Sequence, residues 1–309
     1  MTKNELDRRK FLKLVGLGGG VVFASGLGIY PRVAKAAASE AGLLSTNSDS
    51  DFYFVQLSDT HFGFNNPLVN PNSDKTLLMA VDAVNALEEQ PDFIMFTGDL
   101  TDSTNDDQER RRRLGSFKNI VSQLKCPMVK FMPGEHDASL DKGAAYKEFF
   151  GDTFYAFDYK GIHFVVVDNV SDPLGIIGAD QLVWLKTTLS KFGPNDPIVV
   201  FTHRPLFPLN PRWDWWTADG QQAIDMLMPF TNVSVFYGHI HQNYTFATGH
   251  IPHYSARSTM FALPVSGSVP VKKQIPWDPA HPYEGLGYRE VDAVPAKPSY
   301  TAQEFPLQS

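Results

Sequence analysis

Four short apolar runs, rich in β-branched and aromatic residues, recur along the chain, and each gives way at once to a polar cluster. They are Phe52 to Leu57, Phe93 to Phe96, Ile198 to Phe201 and Val233 to Tyr237, with Met128 to Met132 a weaker fifth. Short apolar runs bounded by polar residues or glycine predict strands buried on both faces. Between the first three, Leu77 to Leu87 and roughly Arg110 to Leu124 carry apolar residues at helical spacing. Strands therefore alternate with helices, and a partly parallel sheet is expected. Residues 154 to 168 alternate instead: Phe154, Tyr155 and Phe157 precede Lys160-Gly161, and Phe164 to Val167 follow it. That pattern predicts a hairpin.

Parallel sheets gather ligands at the carboxyl ends of their strands, which is where the polar clusters fall. They are Asp59-Thr60-His61, Gly98-Asp99-Leu100-Thr101-Asp102, Gly134-Glu135-His136-Asp137, His203-Arg204-Pro205 and Gly238-His239-Ile240-His241. On a strand, side chains two apart project to the same side, which would pair Asp59 with His61 and His239 with His241. Mixed carboxylate and imidazole donors suit zinc, manganese or iron, whereas an all-oxygen set would suit magnesium or calcium. A lone histidine at a strand end is ordinarily a hydrogen-bonded structural residue. Five of them beside several carboxylates, all at strand ends, point to one dinuclear metal site and a hydrolase for phosphate esters.

These blocks, in this order, make the stretch from Phe52 to Ala256 resemble the calcineurin-like metallophosphoesterase superfamily. Gly238-His239-Ile240-His241 together with Asp59-Thr60-His61 is the most specific part of the match. The resemblance implies an α/β fold, a four-layer αββα sandwich of two facing mixed sheets, with two metal ions (Mn, Fe or Zn) at one edge. By position, Asp59, His61 and His241 would hold the first metal, His203 and His239 the second, and Asp99 would bridge them. His136 matches the family's non-ligand histidine beside the leaving group. Asp102 is expected to orient it, fixing tautomer and ring direction; the rival role for Asp102 is to cap a helix beginning near Asp106. Two metals about 3.5 to 4 Å apart would screen an anionic ester and ionise a shared water, while His136 assists the departing alkoxide.

One position departs from the family pattern: Glu135 stands where asparagine is usual. As a ligand it would bring a third carboxylate to two divalent cations, favouring singly charged diesters over dianionic monoesters or suiting a trivalent iron. Its other reading is an outer glutamate that supports the ligands without touching metal.

Composition bounds the rest. The 309 residues carry a formal charge of −7, enough chain for one large α/β domain, here placed at 51–262. The single Cys126 excludes an internal disulfide. Arg8-Arg9-Lys10 precedes a glycine-rich apolar stretch, Leu14 to Tyr30, and small residues around Ala34 to Ala38. Residues 1–38 thus resemble a twin-arginine signal peptide, which makes the export machinery a partner and the periplasm the expected location. A membrane is involved only if the signal stays uncleaved. Those residues hold seven basic and two acidic side chains, so the mature chain carries a formal −12. A surface this acidic argues against nucleic acid as a partner; a small phosphate ester is the expected one.

A Ser-rich linker is expected at 39–50, and Gly63 to Asn72 should be a loop beside the site. From 263 to 309 the chain is Pro-rich and predicts an arm packed on the domain. Arg204 is a candidate phosphate contact, with a structural ion pair as its rival role. Trp213, Trp215 and Trp216 could wall a flat leaving group or serve loop packing. His163, His250, His253 and His281 are expected to be structural or solvated, although His250 and His253 follow the last ligand pair closely enough to line a rim. A non-catalytic metal- or partner-binding protein is the alternative function; His136 and Asp102, which serve turnover more than metal binding, count against it.

Overall fold

The runs beginning at Phe52, Phe93 and Met128 become β1 (Phe52–Leu57), β2 (Phe93–Thr97) and β3 (Val129–Met132), paired in parallel through the crossover helices α1 (Thr76–Asn85) and α2 (Asp107–Val121). The structure, a computed structural model, describes residues 52–293 and 300–307; the expected signal peptide and linker lie outside them. Although α2 carries Arg110 to Arg113 in succession, Leu114, Phe117 and Val121 give it a buried stripe, and Asp106 caps its first amides, accepting from the Gln108 and Glu109 N–H groups.

Two short helices, α3 (Glu135–Ala138) and α4 (Ala144–Phe150), lead into a second sheet. β4 (Tyr155–Tyr159) and β5 (Ile162–Val166) form the expected hairpin, turning at Lys160 and Gly161 with φ of 45° and 81°. Positive φ at both central residues matches a turn whose twist suits the strands it joins. α5 (Ala179–Leu189) leads to β6 (Ile198–Phe201) and α6 (Gly220–Leu227) to β7 (Val233–Tyr237), followed by β8 (Tyr244–Thr248) and β9 (Ile251–Ser255). The strand order is β4-β5-β6-β7-β9-β8, with β5, β6, β7 and β9 parallel.

Side-chain alternation builds the layers. Phe52, Phe54, Phe93 and Met95 of the first sheet meet Phe164, Phe201 and Phe236 of the second in one apolar cluster. The opposite faces carry Val55, Leu57 and Phe96 beneath α1 and α2, and Val165, Val200 and Val235 beneath α5 and α6. Helix, sheet, sheet, helix is the expected αββα sandwich.

The segment after residue 262 goes further than an arm packed on the domain. It supplies β10 (Gly287–Ala293) and β11 (Thr301–Pro306), which extend the first sheet in the order β11-β10-β1-β2-β3. β10 includes Arg289, Glu290 and Asp292, so it lacks the signature of a buried strand, yet all seven of its residues are buried. Arg289 explains part of this: its guanidinium donates to Glu304 Oε1 at 2.7 Å, Asn243 Oδ1 at 2.8 Å and the Ser255 carbonyl at 2.6 Å. A buried charge survives where it is paired and hydrogen-bonded.

Candidate metal centre

All the expected ligands lie just beyond strand ends. Asp59 and His61 follow β1, Asp99 follows β2, Glu135 opens α3 after β3, His203 follows β6, and His239 and His241 follow β7. Strand alternation, however, is not what pairs them. β1 and β7 end at Leu57 and Tyr237, and Asp59, His61, Asp99, His239 and His241 all have left-handed backbone, with φ of 53°, 39°, 49°, 64° and 55°. Such a conformation costs a non-glycine residue on the order of 1–3 kcal/mol. The surrounding backbone holds it: Asp59 N–H donates to the Gly98 carbonyl at 3.0 Å, and His61 N–H to the Asp99 carbonyl at 2.9 Å. His239 N–H donates to the Asp59 carboxylate at 3.0 and 3.1 Å, tying the second sheet to the first.

The loops approach so closely that side chains are excluded at Gly98, where a Cβ would overlap the His203 ring, and at two further points. A Cβ on Gly134 would overlap the Asp99 amide and carboxylate, and one on Gly238 would overlap Ser58 Oγ. Asp137, to which sequence reasoning assigned no role, clamps these loops together. Its buried carboxylate accepts from the amides of Leu100, Thr101 and Gly134 at 2.9 Å each and from the Thr101 hydroxyl at 3.0 Å. Only its place beside Glu135 and His136 hinted at a function.

The donors fall into two buried clusters, Asp59–His61–His241 and Asp99–Glu135–His203–His239. In the first, His61 Nε2 lies 3.2 Å from His241 Nε2, which lies 3.3 Å from Asp59 Oδ1. In the second, Glu135 Oε2 lies 2.8 Å from His203 Nε2 and Oε1 lies 2.9 Å from His239 Nδ1. Asp99 joins them, because its Oδ2 is 3.4 Å from His203 Nε2 and 3.6 Å from His61 Nε2. Its other oxygen accepts the His136 N–H at 2.9 Å.

These residues fit metal ions. Donors about 2.0–2.2 Å from a shared cation stand roughly 3 Å or slightly more from one another, as these do. His203 Nε2 and Glu135 Oε2 are buried and make no hydrogen bond despite their proximity, an unusual state for buried polar atoms. Backbone carbonyls fix the tautomers: His203 and His241 donate from Nδ1 to Thr97 and Phe261 at 2.7 Å each, leaving Nε2 bare, and His239 donates from Nε2 to Asp214 at 2.9 Å, leaving Nδ1 bare. The electrostatics agree. Burial pushes the pKa of Asp59, Asp99 and Glu135 upward, yet neighbouring imidazoles outweigh it and hold all three below the usual carboxylate range. Three buried anions call for positive charge.

Beside the first cluster, the His136 ring meets the His61 ring edge-on at 4.6 Å. In the neutral ring Nδ1 accepts the Ser103 N–H at 3.0 Å; in the imidazolium that nitrogen carries a proton and faces Asp102 Oδ1 at 3.2 Å instead. Nε2 has no hydrogen-bond partner among the described residues. Burial opposes its protonation, but Asp99, Asp102 and Glu135 prevail and push the imidazole up to about 10. Asp102 also stands 3.6 Å from His61 Nδ1. It does not cap α2; Asp106 does.

The outer candidates divide. Arg204 is buried and forms a bidentate pair with Asp214 at 2.8 Å, while its Nε, 3.9 Å from Glu135 Oε2, has no hydrogen bond. Trp213 and Trp215 pack edge-on inside the core of the second sheet. Trp215 is 0 % exposed, so the aromatic-wall expectation is corrected to loop packing for that residue; Trp216 is half-buried. His253, one of the two considered for a rim, lies buried in β9 and bonded to Thr248. His250 is exposed and bonded to the Phe230 carbonyl. His163 stacks on Phe192 and pairs with Asp158, and exposed His281 pairs with Asp278.

Known proteins resemble this chain in sequence and in fold. The chain is 29% identical over 167 residues to a probable glycerophosphodiester phosphodiesterase from Arcobacter nitrofigilis, covering 49% of this chain and 56% of that one. It is 27% identical over 220 residues to the serine/threonine-protein phosphatase CPPED1 of Rattus norvegicus, covering 62% and 70%. The fold is that of a dimetal phosphatase from Danio rerio, with a TM-score of 0.56 at 14% identity over 83% of this chain and 99% of that one. Residues 52–243 match the calcineurin-like phosphoesterase family, and the chain belongs to that family.

Proposed function

We propose that the chain is an exported dinuclear-metal phosphoesterase that favours singly charged phosphodiesters. The observation that carries this reading is Asp99, whose Oδ2 faces donors of both clusters, 3.4 Å from His203 Nε2 and 3.6 Å from His61 Nε2. Asp59, His61 and His241 would hold one ion, Glu135, His203 and His239 the other, and Asp99 both. When bound, the two ions screen phosphoryl charge and acidify a water.

The chain's own residues do the rest. As an imidazolium, His136 directs Nδ1–H to Asp102 and keeps Nε2–H for the leaving oxygen, so the alkoxide departs protonated. Asp102 holds that ring in place and supports its charge. Asp59, Asp99 and Glu135 bring three carboxylates to the site, which weakens its attraction for a dianionic monoester more than for a monoanionic diester. The relatives' names cover both diesterases and phosphatases, so the preference rests on Glu135.

Metal-loaded protein assayed with bis(4-nitrophenyl) phosphate and 4-nitrophenyl phosphate tests the proposal. The expected result is a higher kcat/KM for the diester. If the protein binds two ions and cleaves neither, the non-catalytic metal-binding alternative replaces this reading.

Export rests on Arg8-Arg9 and the glycine-rich apolar stretch after them. A periplasmic product starting near residue 39, and cytoplasmic retention of a variant carrying Arg8→Lys with Arg9→Lys, are the expected results. An unprocessed wild-type chain in the cytoplasm would overturn it.

A further inference from the structure

A cavity of about 530 Å³ adjoins the metal centre, and the proposed chemistry does not use it. Its wall toward the centre is His241, and the rest comes from the loop after β1, from Gln242 and Asn243 next to His241, and from residues 257 to 286. Hydrogen bonds brace these walls. Asn70 Nδ2 donates to the Met260 carbonyl at 2.7 Å, Trp277 N–H to the Leu68 carbonyl at 2.9 Å, and Ile275 N–H to the Ala262 carbonyl at 3.0 Å. The lining is mainly apolar, with Met260, Phe261, Leu263 and Trp277 among it, and Arg257, Asp278 and Glu284 add charges of both signs. Val265 and Ile275, 66% and 46% exposed, also line it. A preformed, largely apolar cavity of this size with a few polar groups suits a small organic moiety.

We infer that this cavity receives the retained arm of a phosphodiester substrate, the ester group that stays on phosphorus, and that this arm is bulky and apolar. The inference rests on the diesterase reading above. The argument for the retained arm is positional. His136, Asp102 and His61 are not among the lining residues, whereas His241 is; His61 has Nδ1 3.6 Å from Asp102, the neighbour of His136, and its other nitrogen, Nε2, 3.2 Å from His241. The arm whose oxygen departs beside His136 therefore lies elsewhere, and the cavity is left for its partner. A monoester has no such arm and gains nothing from the cavity.

The experiment uses 4-nitrophenyl diesters whose second group is methyl, butyl or phenyl, so the leaving group stays constant while the retained arm grows. With metal-loaded protein, kcat/KM should rise about tenfold or more from methyl to butyl, as expected for burying three further methylenes. Ala262→Trp and Ile275→Trp, at two residues that line the cavity, should each bring the butyl-to-methyl ratio toward one. Because the readout is a ratio within one protein preparation, a partly misfolded variant does not mimic the effect. Equal rates across the series in the parent, or an unchanged ratio in both variants, would overturn the inference while leaving the phosphoesterase reading intact. If no ester in the series were cleaved by protein holding two ions, the phosphoesterase reading would fail first and take this one with it.

Discussion

Glu135 and His203 face each other at 2.8 Å, Oε2 to Nε2, with both atoms buried and neither in a hydrogen bond. The pair makes sense as two ligands of one cation, and the charge on Glu135 then becomes a determinant of substrate choice. Glu135→Asn should keep a neutral oxygen donor while removing one negative charge a few ångströms from the phosphoryl group. At that range a unit charge is worth more than about 1.4 kcal/mol in a partly buried site. The diester-to-monoester ratio of kcat/KM should therefore fall about tenfold or more. An unchanged ratio with unchanged metal content would remove Glu135 from the substrate account.

His136 and Asp102 are expected to matter in proportion to how badly the leaving group needs a proton. His136→Ala should slow esters with alkyl leaving groups by about 10²-fold or more, because general acid catalysis is worth about 10²–10⁴. Esters of 4-nitrophenol, whose anion leaves unaided, should lose far less. Asp102→Asn should show the same dependence at a smaller scale, since its carboxylate acts through the ring 3.2 Å away. Equal losses on both leaving groups would assign these residues to folding or metal retention.

Much of this centre was legible in the sequence, and the parts that were not have a common physical origin. Asp59, Asp99, His203 and His239 could be located because apolar runs end abruptly there, and an apolar run of that length has few alternatives to a buried strand. How Asp59 and His61 converge was not legible, since a left-handed backbone at a non-glycine residue is stabilised by partners far along the chain, such as Gly98 and Asp99. Asp137 was hidden for the same reason: a clamp is defined by the amides it gathers. β10 was hidden by its charges, of which Arg289 is accommodated by Glu304, Asn243 and Ser255 around its guanidinium.

That arrangement around Arg289 gives a stability prediction. Arg289 is 1 % exposed and joins β10 to β11 and to the second sheet. Arg289→Ala takes from buried Glu304 its ion-pair partner and leaves it only Arg257, and urea denaturation should show a loss of about 3 kcal/mol. A loss under about 1 kcal/mol would mean that the C-terminal strands add little to the fold.

Acid should weaken the protein through His253. Burial lowers its pKa to about 4, whereas an unfolded histidine titrates near 6.5. Between these values the unfolded chain binds a proton that the folded chain refuses. The stability from this residue is complete above about pH 6.5, declines as the pH falls and is lost near pH 4, a change of about 3 kcal/mol. His253→Gln removes the titration, so the stability gap between parent and variant should narrow by about that amount from pH 7.5 to 4. A gap independent of pH would contradict the assignment.

The central claim is that donors from both sheets close around two cations, and metal analysis of the folded protein tests it most directly. Two equivalents of Mn, Fe or Zn per chain are expected, falling to about one in His241→Ala and in His203→Ala as each cluster loses a donor. A correctly folded parent that retains no transition metal at micromolar supply, or variants that keep both equivalents, would contradict it.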